Sequence, residues 1–178
     1  MVEIPNGVLR WQDRTDGSNH VPKLLLFGYG NPGRGDDALG PELIGRIAQL
    51  HLAGVECQND MQLQVEHVTD LSGCKQVLFI DADMSCAEPF AFSEISAVKD
   101  DSYTSHAMSP GALLLAYRQV YGQDAPAAFL LRIRGYDFEL GDPLTDKASA
   151  NLQAATKLVV ELCTAASLPA WREYLVIA

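Results

Sequence analysis

One stretch of this chain narrows its possible folds more than any other: a short apolar run that breaks into a glycine-rich loop and then into an amphipathic helix. Lys23–Gly28 (KLLLFG) reads as a buried strand, far too short to cross a bilayer. Gly28-Tyr29-Gly30-Asn31-Pro32-Gly33-Arg34-Gly35-Asp36-Asp37 follows at once. Beyond it, apolar residues recur at Leu39, Leu43, Ile47 and Leu50, the spacing of one helical face. Strand, tight loop and helix in that order open a βα unit. Glycines in such a loop let the chain turn sharply and bring its backbone close to a ligand.

The same alternation continues. Val55–Gln58 is a short strand, Gln76–Ala82 a second strong one, and Phe90–Val98 a more exposed one. Ser109 before Pro110 predicts a helix start, with serine as cap and proline in the first turn. That helix reaches about Tyr121 and stops before Gly122. Ala127–Arg134 is a third buried strand. Thr145 is a candidate cap for a last helix, which carries Ala148, Leu152, Ala155, Val159 and Leu162 on one face. The tail after Pro169 has no clear period. Together these elements predict an α/β three-layer sandwich, a mostly parallel central sheet with helices on both faces. The 178 residues suit one domain over 23–178, with 1–22 as a flexible extension holding Pro5, Gly7, Gly17, Ser18 and Asn19.

Charge and leader composition exclude some partners. A net charge of −10 repels phosphate backbones, and Lys and Arg are scattered singly apart from Arg132 and Arg134, which strand alternation puts on one face. No nucleic-acid partner is expected. Residues 1–22 lack the apolar core of a secretory leader, and no run is long enough for a membrane span, so the cytoplasm is the expected compartment. Cys57, Cys74, Cys86 and Cys163 form no C-x-x-C pair and read as reduced small hydrophobes. A monomer is the default expectation.

In parallel sheets, sites form outside the carboxyl ends of the strands. Three segments fall there: the loop ending in Asp36-Asp37, Ile80-Asp81-Ala82-Asp83, and Ser105-His106-Ala107-Met108-Ser109-Pro110. Asp37, Asp81 and His106 would make two carboxylates and an imidazole, a set that suits a divalent transition metal with open positions. Each also has an ordinary reading. Asp36 and Asp37 can serve as first-turn acids at a helix dipole, Asp81 as a cap or an acceptor for loop amides, and His106 as a loop histidine. His20, His51 and His67 carry ordinary readings alone.

Gly28-x-Gly30-x-x-Gly33 matches the dinucleotide fingerprint, so a nucleotide- or anion-binding module is the alternative function. Asp36 and Asp37 oppose it, because they stand where a pyrophosphate would sit. A P-loop fails, since Gly35 is followed by Asp36-Asp37 rather than Lys and Ser or Thr. Gly30-Asn31-Pro32-Gly33 is similar to the opening turn of peptidyl-tRNA hydrolases, a second alternative, but Arg34-Gly35-Asp36-Asp37 replaces that family's Thr-Arg-His-Asn segment. No G-x-S-x-G elbow is present.

Gly28-Tyr29-Gly30-Asn31 followed by Asp36-Asp37-Ala38-Leu39-Gly40-Pro41 resembles the opening motif of the nickel–iron hydrogenase maturation proteases. Ile80-Asp81-Ala82 looks like that family's strand-end Asp-Ala, and His106 with Ser109-Pro110 like its histidine motif. Arg134–Gly141 is similar to a later segment of the family. The matches span Lys23 to Cys163 in order. The resemblance implies an endopeptidase that removes the C-terminal peptide of a hydrogenase large-subunit precursor after nickel insertion. It implies that Asp37, Asp81 and His106 engage the nickel carried by the precursor, so that no permanent cofactor is needed. It further implies substrate contacts from Gly30 and Asn31, and from Asp60, which lies near a family aspartate that influences cleavage.

Overall fold

The computed structural model describes residues 23–99, 108–165 and 167–176. Its strands are β1 (Lys23–Tyr29), β2 (Val55–Asp60), β3 (Cys74–Asp83), β4 (Phe90–Ile95) and β5 (Ala127–Arg134). Its helices are α1 (Leu39–Ala48), α2 (Pro110–Tyr121), α3 (Asp146–Ala165) and α4 (Leu168–Glu173). Short 3-10 turns cover Gly35–Ala38, Val65–Thr69 and Tyr174–Val176. The sheet runs β2-β1-β3-β5-β4, with β4 antiparallel on the edge and every other pairing parallel. Helices lie on both faces, which is the expected three-layer α/β sandwich. No helix among the described residues is long and apolar enough to cross a membrane.

The strand sequences explain why both faces are covered. In β1, Leu24 and Leu26 pack with Leu43 and Ile47 of α1, Leu152 and Val159 of α3, and Trp171 of α4. Leu25 and Phe27, one residue out of step, pack with Leu113, Leu114 and Tyr117 of α2 and with Val68. β3 divides likewise, Leu78 and Ile80 to one side, Val77 and Phe79 to the other. A strand buried on both faces has no polar positions, so it appears in sequence as an unbroken apolar run.

The local signals for α2 and α3 are matched. Ser109 Oγ accepts from the Ala112 amide at 3.2 Å, and Gly122 closes α2 in the left-handed region at φ +65°. Thr145 Oγ1 accepts from the Ala148 amide at 3.2 Å ahead of α3.

Three boundaries differ from expectation. α1 stops at Ala48, so Leu50 lies past its end and is exposed rather than on the helical face. β4 ends at Ile95 rather than Val98, because the Val98 amide donates to the Gly111 carbonyl at 3.1 Å and the chain turns toward α2 instead of staying on β5. The tail after Pro169 belongs to the core: α4 buries Trp171 completely, its Nε1 donates to the Leu162 carbonyl at 2.8 Å, and its ring meets Phe129 edge-on at 5.0 Å. Six residues are too few to display a helical period. The four cysteines are free thiols, Cys86 and Cys163 buried and the other two half-buried. The extension 1–22 lies outside the described residues.

The glycines that open the βα unit serve packing as much as turning. A Cβ on Gly28 would lie 2.6 Å from both the Gly40 carbonyl oxygen and Ile44 Cγ1. α1 therefore rests directly on the backbone of β1. Gly28→Ala is expected to lower stability by about 2–3 kcal/mol, the upper range for overpacking a core. That exceeds the roughly 0.5–1 kcal/mol that alanine gains over glycine inside a strand. Equilibrium urea unfolding reads it, and an unchanged midpoint would rule out the close contact.

Candidate active site

β1, β2 and β3 are parallel neighbours, so their carboxyl ends deliver Tyr29, Asp60 and Asp81 to one edge of the sheet. After Tyr29 the chain passes through Gly30 at φ +139°, where a Cβ would fall 2.1 Å from the Asp37 carbonyl oxygen. Only glycine fits there. The loop then folds back over its own 3-10 turn. Asp37, half-buried, accepts from the Asn31 amide at 2.9 Å through Oδ2, and Asn31 Oδ1 accepts from the Gly33 amide at 2.9 Å. The Asn31 side chain thus braces the loop.

Asp81 sits near the end of β3, in register with Arg132 of β5. Its Oδ1 accepts from the Ala82 amide at 2.8 Å, and the Tyr29 hydroxyl donates to the same carboxylate. Burial is the main force on Asp81 and pushes its carboxyl up to about 7; the bonds from Ala82 and Tyr29 oppose this, and the charges of Asp37 and Asp83 add to it. Burial also pushes the Tyr29 hydroxyl far up, with the Asp81 charge reinforcing it, so Tyr29 stays protonated as a donor. Burial thus keeps the Asp81 carboxyl protonated up to near neutral pH, and Asp37 lies close enough for its charge to add to that shift.

Asp60 ends β2. Its Oδ1 accepts from the Met61 amide at 2.6 Å, its carbonyl accepts from the Gly30 amide at 3.2 Å, and its Oδ2 lies 3.3 Å from His67 Nε2. With Gly30, Pro32, Pro41, Asn59 and Met61 it lines a cleft of 460 Å³. His106 lies outside the described residues. Met108, two residues further along the chain, donates its amide to the Leu63 carbonyl at 2.9 Å, in the segment that follows β2. Among the described residues no three His, Cys, Asp or Glu side chains converge to hold a metal ion. The carboxylate pair is what the structure assembles. Arg132 and Arg134 do not make a free basic spot: Arg132 pairs with Asp83 at 3.0 Å, and Arg134 Nη1 donates to the Cys86 carbonyl at 2.9 Å.

Asp36, just before Asp37, has a role that the sequence reading missed. Asp36 is fully buried rather than a solvated first-turn acid. Its Oδ2 accepts from the Tyr136 amide at 2.8 Å, the Asp137 amide at 3.1 Å and the Thr145 hydroxyl at 2.9 Å; its Oδ1 accepts from the Thr145 amide at 2.7 Å. Asp36 ties the glycine loop to the segment joining β5 and α3. The only hint in sequence is that Arg134–Gly141 travels with the acidic pair in the resemblance.

The loop cannot offer its backbone to an anion. Gly30 donates to Asp60 O, Asn31 to Asp37 Oδ2, Gly33 to Asn31 Oδ1, and Arg34 to Asn31 O. Gly35 donates to Asp142 O, Asp36 to Asp137 O, and Asp37 to Arg34 O. Every amide from Gly30 to Asp37 already has an acceptor, and carboxylates stand where phosphate would bind.

The hydrogenase maturation protease HycI from Thermococcus kodakarensis is similar at a TM-score of 0.63 and 20% identity, over 79% of this chain and 92% of that one. The hydrogenase maturating endopeptidase HybD from E. coli is similar at 0.63 and 18%, over 85% and 93%. The fold is that of the NiFe hydrogenase maturation proteases. A hydrogenase 2 maturation peptidase from a Thaumarchaeota archaeon also matches, at a TM-score of 0.57 and 21% identity, over 79% and 97%. No family model matches the sequence, and no curated protein matches it.

Proposed function

We propose that this protein is an endopeptidase that removes the C-terminal peptide from a hydrogenase large-subunit precursor already carrying nickel. The observation that carries this reading is the Asp37–Asp81 pair beside a loop whose amides are all engaged. Such a site attracts a cation and rejects an anion. The shared fold with named maturation proteases supports the same reaction class.

In this reading nickel is part of the substrate, and no permanent cofactor is required. Asp37, Asp81 and His106 engage it. Asp81 gives up its proton as the metal arrives, since a carboxylate binds metal in its ionised form. A metal held there orients the neighbouring peptide and polarises its carbonyl or a water molecule. Gly30, Asn31 and Asp60 contact the peptide along the cleft. A precursor without nickel presents nothing for the carboxylates to hold, so it is left uncut. The reaction belongs to the cytoplasm, with the precursor as partner.

The test is to incubate the protein with nickel-loaded and nickel-free precursor and to measure intact masses. Loss of a C-terminal peptide from the loaded form alone is expected. Cleavage of both forms would keep the protease and remove the nickel checkpoint. Cleavage of neither, with the cognate precursor confirmed, would overturn the reading.

A further inference from the structure

His67 stands in the 3-10 turn that follows β2, and the reaction scheme above makes no use of it. The turn opens with a reciprocal cap in which Gln64 accepts from the His67 amide and His67 Nδ1 accepts from the Gln64 amide at 3.0 Å. Glutamate or glutamine normally fills that position of a capping box, because one acceptor is all the cap requires. Histidine brings a second nitrogen. Since Nδ1 accepts a hydrogen bond, the ring proton sits on Nε2. Nε2 lies 3.3 Å from Asp60 Oδ2.

The ring has little freedom. Its side chain is 14% exposed, and it packs on Phe27 with centroids 4.8 Å apart. Asp60 differs, with 41% of its side chain exposed at the lip of the 460 Å³ cleft. An aspartate this open would turn among rotamers if nothing held it. One oxygen is held by the Met61 amide at 2.6 Å, and the other faces the fixed imidazole. The Asp60 main chain is also tied to Gly30.

We propose that His67 is a positioning residue that holds the Asp60 carboxylate in one orientation at the lip of the cleft, where it accepts a backbone N–H of the substrate polypeptide. This rests on the endopeptidase reading. It is argued from a side chain anchored by its cap and its packing that presents a single N–H to Oδ2, the carboxylate oxygen that the Met61 amide does not hold. The arrangement parallels the outer-sphere partners that orient metal ligands, whose loss typically costs roughly 10–100-fold in activity.

The test compares His67→Leu with His67→Gln in the full chain, measuring kcat/KM on the nickel-loaded precursor and the unfolding midpoint of each. Glutamine keeps both the cap and an N–H donor; leucine keeps only the packing. His67→Leu is expected to lose about 10–100-fold and His67→Gln to stay within about threefold of wild type. Equal activity of His67→Leu and wild type would overturn the proposal, as would equal losses in two folded variants. A separate reading comes from nitrogen NMR of the wild-type imidazole. It should show an Nε2-bound proton whose signal moves in Asp60→Ala, and a proton on Nδ1 would overturn the proposal by itself. If wild type fails to cut the loaded precursor, the endopeptidase reading falls. The NMR result then still decides whether His67 holds Asp60.

Discussion

Asp81→Asn is expected to slow processing of the nickel-loaded precursor by a factor on the order of 100–1000, the loss typical when a group acting directly on the reacting charge is removed. The folded domain should survive, and Asp37→Asn and His106→Ala should behave alike. Asp81 further predicts a pH dependence with a definite sign. Its folded pKa is raised to about 7 from 3.8, with burial the largest cause. The proton is therefore held more tightly in the folded chain, and the stability linked to it is complete below the unfolded value and lost as pH rises through about 7. Asparagine cannot ionise, so the variant should gain on wild type in thermal unfolding as pH climbs across that window. Processing should run the other way. In the proposed reaction, wild-type rates at limiting precursor should rise through about pH 7 and level off above it, because a carboxylate binds a metal ion in its ionised form. A variant that processes at the wild-type rate would remove Asp81 from the site.

The second large effect concerns Asp36, the neighbour of Asp37 in sequence. Asp36→Ala leaves the Tyr136, Asp137 and Thr145 amides and the Thr145 hydroxyl without their buried acceptor. Each unsatisfied buried group costs about 1–3 kcal/mol, so a loss of about 4 kcal/mol or more is expected. That is a large share of the roughly 5–15 kcal/mol holding a typical domain together. The melting temperature should fall by about 10 °C or more. Asp37→Asn should leave it nearly unchanged. Circular dichroism during heating separates the two, and a fall of under about 2 °C for Asp36→Ala would show that these donors find water instead. Adjacent aspartates thus divide the work: Asp36, fully buried, holds the loop closed, and Asp37, half-buried, accepts from the Asn31 amide.

Much of the architecture could be read from local sequence. β1 and β3 stand out because a central parallel strand is buried on both sides and so carries an apolar run, and β5 stands out by its Ala127–Leu131 run before Arg132. α2 is bounded by Ser109-Pro110 and Gly122, whose signals act within one turn of the chain. Topology puts the Asp36-Asp37 loop and Asp81 at one edge, because parallel strands send their carboxyl ends there, and the resemblance singled out Asp37 as the candidate of the two. Other features had no local mark. β4 stops early because Val98 finds Gly111 across the fold, and α4 is recognisable by where Trp171 goes rather than by any period. Gly28 and Gly40 look like turn and helix residues until the helix is laid on the strand. Asp36 accepts from residues 100, 101 and 109 positions away, and nothing in its neighbourhood distinguishes it from Asp37. His67 shows a capping role locally, whereas its Nε2 acquires a partner only when β2 delivers Asp60. Period, caps and strand runs arise from contacts between sequence neighbours, and the sequence alone determined them. Which of Asp36 and Asp37 is buried, and which imidazole comes to lie beside Asp60, depend on contacts that exist only after distant segments pack, and the tertiary structure alone decided those.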